Sequence, residues 1–190
     1  MNHKFKIRCY NASELLVDCN NLSTFIRRVV KQSNCNYGKG WTPEEYSGMA
    51  FEALVEVLIC ASPIDKRINI KNYEIADVKK HGRDMGIDGY GKSHSGNNHT
   101  VQIKFRSNTS KDLTTKDDIS NFVANTSTHP DYTNADMTLF TTAKGLNHAI
   151  SENMYHQRVR TIGYVEISKL IDNNTAFWDL FKLEMGIQED

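Results

Sequence analysis

The chain has 190 residues, with 23 Lys and Arg against 23 Asp and Glu, a formal net charge of +0. Its 39% hydrophobic and 24% charged residues are the composition of a globular chain with one sizeable core, not of a disordered or fibrous one. No apolar run approaches the roughly 18 residues a membrane span needs, and the first residues lack the apolar segment of a secretory leader. Cys9, Cys19, Cys35 and Cys60 show no CxxC spacing, which favours free thiols in a reducing compartment over disulfides or zinc.

In chain order, residues 1–10 read as a short strand or an open start. Residues 12–31 read as helical in two pieces, with Ser13 and Ser23 as caps and Phe25, Ile26, Val29 and Val30 as an apolar stripe. Thr42-Pro43-Glu44-Glu45 is a capping box with Pro at the first helical position, and predicts a helix to about Ala61. That helix is apolar nearly all round and should be central. Glu52 and Glu56 sit one turn apart within it, and an acid there must be paired, exposed or functional. Three strands are expected at about Tyr73–Lys79, Gly86–Gly91 and Thr100–Arg106, the last two joined by the turn Ser93–Asn98. A helix follows over about 116–125, then a strand over Asp136–Thr142, a helix over Leu146–Gln157 and a strand over Arg160–Val165. Ser168 is expected to cap a short turn. Thr175–Met185 is an amphipathic helix whose Phe177–Leu183 stripe is core or a dimer face. The order α-βββ-α-β-α-β predicts an α/β fold, a mixed central sheet flanked by helices on both faces.

Charge is uneven along the chain. Seven basic residues face two acids between positions 1 and 39, and ten face five between 65 and 111, an excess of five in each. From position 166 onward, two lysines face six acids. This asymmetry can place a basic face on a neutral protein, as phosphate binding requires.

The chemistry centres on Asp84-Met85-Gly86-Ile87-Asp88-Gly89-Tyr90-Gly91 and His99-Thr100-Val101-Gln102-Ile103-Lys104-Phe105. On a strand, Thr100, Gln102 and Lys104 share one face. An acid on the neighbouring strand brings Asp88, Gln102 and Lys104 together. A carboxylate and an amide oxygen can hold a divalent cation, and an ammonium beside them can steady an attacking water. Glu52 can hold the metal through water or complete a second ion site. Gly86, Gly89 and Gly91 around Asp88 suggest close approach of other atoms to the backbone. Arg83, Arg106 and Lys111 are candidates for phosphate contacts. His81, His94 and His99 lack the spacing of a metal cage and read as phosphate contacts or loop residues. Tyr90 reads equally as packing or as a base-stacking residue.

Gly48-Met49-Ala50-Phe51-Glu52, Asp84-Met85-Gly86-Ile87-Asp88-Gly89 and Val101-Gln102-Ile103-Lys104 together resemble the catalytic domain of Mrr-like restriction endonucleases, of the PD-(D/E)xK nuclease superfamily. Thr138–Leu146 with Ala149, and Thr161–Val165 through Leu170, are similar to that family's later segments, so the resemblance spans about residues 46–172. It implies a restriction-endonuclease-like domain over 46–190, preceded by a basic helical extension over 1–45. It implies a Mg²⁺-dependent deoxyribonuclease, with Mn²⁺ as a substitute, acting on DNA as a homodimer. Asp88 is then the metal-binding acid, Gln102 stands at the (D/E) position as a metal ligand, Lys104 is the catalytic lysine and Glu52 is the helix acid that completes the site. Asp84 reads as turn-forming or as a support of the site. The implied role is restriction of type II or type IV. The alternatives are a structure-specific, repair or recombination nuclease of resolvase or homing type, or a non-catalytic DNA-binding module of the same fold. The expected location is cytoplasmic, nucleoid or nuclear, wherever the DNA is.

Overall fold

The computed structural model describes residues 12–35, 41–62, 65–76, 86–114, 116–156 and 158–187. Among these the chain forms α1 (Ala12–Leu16), α2 (Leu22–Cys35), α3 (Pro43–Ala61), β1 (Lys71–Ile75), β2 (Gly89–Lys92), β3 (Asn98–Lys104), α4 (Lys116–Thr128), β4 (Asp136–Thr141), α5 (His148–His156), β5 (Val159–Ile162), α6 (Tyr164–Ile171) and α7 (Thr175–Glu184). They divide into two compact units, one of residues 1–61 with 165–190 and one of residues 62–164.

The first unit is helical. Leu22, Phe25, Ile26 and Val29 bury one stripe of α2 at helical spacing. The Phe25 ring lies 5.8 Å from Phe181 and 6.3 Å from Trp178 on α7, and the Trp178 indole N–H donates to the Ile171 carbonyl at 2.7 Å. The Phe177–Leu183 stripe is therefore core through Phe177, Trp178 and Phe181, whereas Leu183 is exposed. The capping box forms as expected. Glu45 N–H donates to the Thr42 hydroxyl at 3.1 Å, and Thr42 N–H to the Glu45 carboxylate at 2.8 Å. Ser23 does not cap α2. The helix starts earlier, and the Asn21 side chain accepts from Thr24 N–H at 2.8 Å. Ser13 likewise lies inside α1. Arg28, on the basic stretch, donates to the Leu15 and Val17 carbonyls at the end of α1. Cys19 is buried, and burial pushes its thiol up to about 11, while Cys35 is exposed.

The second unit is a five-stranded mixed sheet in the order β1-β2-β3-β4-β5. β1, β2 and β3 are antiparallel, and β3, β4 and β5 are parallel. β3 and β4 carry the longest ladder, from His99 opposite Asp136 to Lys104 opposite Thr141. Ile119, Phe122 and Val123 of α4 pack with Met137 and Leu139 of β4, Ile87, Leu113, Ala143 and Ile150. Thr100 of β3 bonds Thr126 of α4 at 3.1 Å. The face carrying Thr100, Gln102 and Lys104 thus looks toward α4.

The mixed α/β order holds, with boundaries shifted. β1 starts two residues earlier than expected, and residues 77–80 lie outside the described part. β5 ends at Ile162, and Tyr164 begins α6, where a strand was expected to run to Val165. Gly163 makes this turn tight: a Cβ there would stand 2.5 Å from the Lys144 carbonyl oxygen. Ser168 lies inside α6 and caps nothing; Asn174 caps α7, accepting from Phe177 N–H at 3.2 Å.

Candidate functional site

The site is built at the end of β3. β2 pairs with β3 from Lys92 opposite Asn98 to Gly89 opposite Val101. A regular ladder would next join Ile103 N–H to the Ile87 carbonyl. Instead Asp88 N–H donates to the Val101 carbonyl at 2.8 Å, and its own carbonyl accepts from Ala76 N–H of the β1 side at 3.0 Å. The Asp88 carboxylate takes over the next rung: its Oδ2 accepts from Ile103 N–H at 2.6 Å. A side chain thus replaces main chain at Ile103, the residue between Gln102 and Lys104.

Three glycines make room for this. A Cβ on Gly89 would fall 2.2 Å from the Tyr73 ring, whose hydroxyl lies 3.5 Å from the Asp88 carbonyl. A Cβ on Gly91 would stand 2.9 Å from Ile70. Gly86 has φ +64, and a Cβ there would stand 3.2 Å from Gln102 Nε2. The close approach expected around Asp88 is therefore made by Tyr73, Ile70 and Gln102.

Gln102 is buried in the central strand, with 1% exposure. Its Oε1 has no hydrogen-bond partner among the described residues. A buried amide oxygen left in this way costs about 1–3 kcal/mol of stability. Lys104 is half-buried at the strand end.

Beyond Lys104 the chain stays beside the extension of β4. Lys144 N–H donates to the Lys111 carbonyl at 3.0 Å, Leu113 N–H to the Gly145 carbonyl at 2.8 Å, and Leu113 pairs with Leu146. Lys111 and Lys144 are both exposed. Lys144 joins the phosphate-contact candidates only through the pairing of the two loops, which brings it beside Lys111. The Arg106 guanidinium donates to the Phe105 carbonyl at 2.9 Å. Arg83 and Asp84, like His81, lie outside the described residues.

Glu52 belongs to the first unit, half-buried on α3, and Glu56 there is buried. His99 is not a loop residue. It is buried in β3, its Nε2 is hydrogen-bonded to the Thr138 hydroxyl at 2.8 Å, and burial pushes its pKa down to about 4. His94 lies in the β2–β3 turn, where its N–H donates to the Asn69 side chain at 3.1 Å. Tyr90 packs: its ring stacks on Tyr132 at 4.6 Å. A cavity of about 260 Å³ lined by Asn97, Asn98, Asp131 and Asn134 opens at the other end of β3, about 20 Å from Lys104 by strand rise.

Among the described residues no three His, Cys, Asp or Glu side chains form a metal-binding group. The local donor set is one carboxylate and one amide oxygen. Gln102 Oε1, without a partner among the described residues, is a hard oxygen donor of the kind that Mg²⁺ or Mn²⁺ takes. Compared with known proteins, the chain matches no family model, no curated protein and no solved structure.

Proposed function

We propose that this protein is a metal-dependent DNA endonuclease that hydrolyses phosphodiester bonds. One observation carries the reading. The Asp88 carboxylate bonds the main chain of Ile103, between Lys104 and Gln102, whose buried amide oxygen has no partner among the described residues. A buried polar atom left unpaired is costly, and a cation with its waters removes that cost.

Asp88 and Gln102 would hold the ion, Mg²⁺ or Mn²⁺. When bound, it supplies charge neutralisation on the phosphoryl oxygens and a more acidic water. Lys104 steadies the hydroxide that attacks phosphorus and donates to a non-bridging oxygen as the P–O bond to the leaving sugar breaks. Arg106, Lys111 and Lys144 contact neighbouring phosphates, which positions the strand without reading its sequence. One such site cuts one strand, so a duplex break calls for two copies of the chain.

Supercoiled plasmid incubated with Mg²⁺ or Mn²⁺ tests this, with Lys104→Ala alongside. The expected result is nicking or linearisation that needs metal and is lost in the variant, while the gel shift of duplex DNA persists. Cleavage by Lys104→Ala at the wild-type rate removes Lys104 from the mechanism. A gel shift with no cleavage by the wild type in either metal replaces the nuclease with a DNA-binding module. The role the sequence assigns to Glu52 has its own variant: Glu52→Gln that cleaves normally takes Glu52 out of the reaction.

A further inference from the structure

The end of β3 is also held from the β4 side. The parallel ladder is regular up to Lys104, whose carbonyl accepts from Thr142 N–H at 3.3 Å. The next regular rung would join Arg106 N–H to the Thr142 carbonyl. Instead, Arg106 N–H donates to the Thr142 hydroxyl at 2.6 Å, and that hydroxyl donates onward to the Arg106 carbonyl at 2.7 Å. One residue earlier, the Thr141 hydroxyl donates to the Lys104 carbonyl at 2.9 Å and accepts from Ala143 N–H at 3.1 Å. Both threonines are fully buried, so water does not compete for these bonds.

Strand formation does not require these hydroxyls. Valine has the same branched shape and an equal preference for strands. What threonine adds is a donor and an acceptor at the point where β3 leaves the sheet. The Thr142 hydroxyl closes a ring of two bonds on the main chain of a single residue, Arg106. The Thr141 hydroxyl gives the Lys104 carbonyl a second donor. On the opposite edge of the strand, the Asp88 carboxylate holds Ile103 N–H. Lys104 and Arg106 therefore leave a segment of backbone fixed from both sides.

We infer that Thr142, supported by Thr141, is a positioning residue that sets the direction in which Lys104 and Arg106 project. The inference rests on the nuclease reading, because it assigns the threonine to the reaction those two cations serve.

The test compares Thr142→Val, Thr142→Ser and, as a control, Thr126→Val, in the plasmid assay with Mg²⁺ and Mn²⁺ and in thermal unfolding. Thr126→Val removes a buried hydroxyl bond of the same unit, to Thr100, away from the end of β3. Thr142→Val is expected to lower kcat by about 10²-fold, the usual cost of a small misplacement of reacting groups. Its KM should stay near wild type. Thr142→Ser is expected to restore most of kcat, and Thr126→Val to leave kcat unchanged even where its melting temperature falls. Wild-type kcat in Thr142→Val overturns the inference, as does an equal loss in Thr126→Val. If Thr142→Val does not fold, Thr141→Val is read in its place: a fall in kcat supports the inference, and an unchanged kcat overturns it. A wild-type protein that cuts no plasmid in either metal shows the failure of the nuclease reading itself, before any variant is compared.

Discussion

At the start of β3, buried polar side chains bond one another across the strands; at its end, they bond main chain or leave an oxygen unpaired. His99 is bonded to Thr138 at 2.8 Å and Thr100 to Thr126 at 3.1 Å, pairs of neutral groups on opposite faces of the same strand. Three residues later the Asp88 carboxylate and the Thr141 and Thr142 hydroxyls replace or supplement the ladder, and Gln102 Oε1 has no partner among the described residues. His99 Nδ1 also has no partner among the described residues, while its Nε2 is bonded to Thr138. On the nuclease reading, the difference separates a polar core from the proposed site. Neutral pairs hold the strand. On the proposed reading, the Gln102 oxygen without a partner among the described residues is kept for a cation.

The largest effects are expected where that contrast is broken at Asp88. Asp88→Asn keeps an acceptor for Ile103 N–H but loses the charge, so metal-dependent cleavage should vanish with little change in melting temperature. Asp88→Ala should lose cleavage and also about 1–3 kcal/mol of stability, because Ile103 N–H is left without its acceptor. Plasmid cleavage and urea unfolding on both variants separate the two roles. An unchanged metal titration in Asp88→Asn counts against ligation.

At the other end, the sharpest test is pH. Burial, the largest cause, lowers the His99 pKa from 6.5 to about 4; Arg160 adds to this and Asp136 opposes it. The fold therefore holds the ring neutral. Its contribution is fully present above the unfolded value and is lost as pH falls from 6.5 toward about 4, because the unfolded chain takes up the proton first. In that window the slope approaches about 1.4 kcal/mol per pH unit. Urea unfolding across that range should show this slope in the wild type and lose it in His99→Leu. The same slope in the variant assigns the pH dependence to other groups. Since His99 belongs to the structural end, His99→Leu should still cleave DNA.

How much of this was legible in the chain follows the range of each signal. The capping box at Thr42–Glu45 is written within four residues and forms as read. That Asp88 lies beside the strand carrying Gln102 and Lys104 follows from strand alternation and a short turn, both local. The same alternation did not reveal that Gln102 is fully buried, because burial depends on α4 and β4, which arrive later in the chain. Thr141 and Thr142 read only as strand formers. Their hydroxyls gain meaning through a rung that β3 omits 36 residues away. Gly89 and Gly91 signalled close approach, but the atoms that approach come from Tyr73 and Ile70, on and beside a strand whose start was placed two residues late. Val165 and Ser168 lie in α6, not in a strand or at a cap, because Gly163 turns the chain against the Lys144 carbonyl, a contact no local pattern announces.

The smallest expected effect carries the comparison furthest. If the unpaired oxygen of Gln102 serves only the fold, an apolar residue of similar length should be no better there. If it is kept for a cation, the apo protein gives up stability to keep it. Gln102→Met removes the buried amide and nearly conserves volume. It should therefore raise the metal-free stability by about 1–2 kcal/mol while abolishing cleavage. It should also remove the rise in melting temperature that Mg²⁺ or Mn²⁺ gives the wild type, since a ligand that binds only the folded state stabilises it. Gln102→Glu should move the other way. A second carboxylate beside Asp88 costs stability without metal and yields a larger gain with it. A destabilised Gln102→Met with an unchanged metal response would mean that the amide is satisfied within the fold, and would return this end of β3 to the same class as the His99 end.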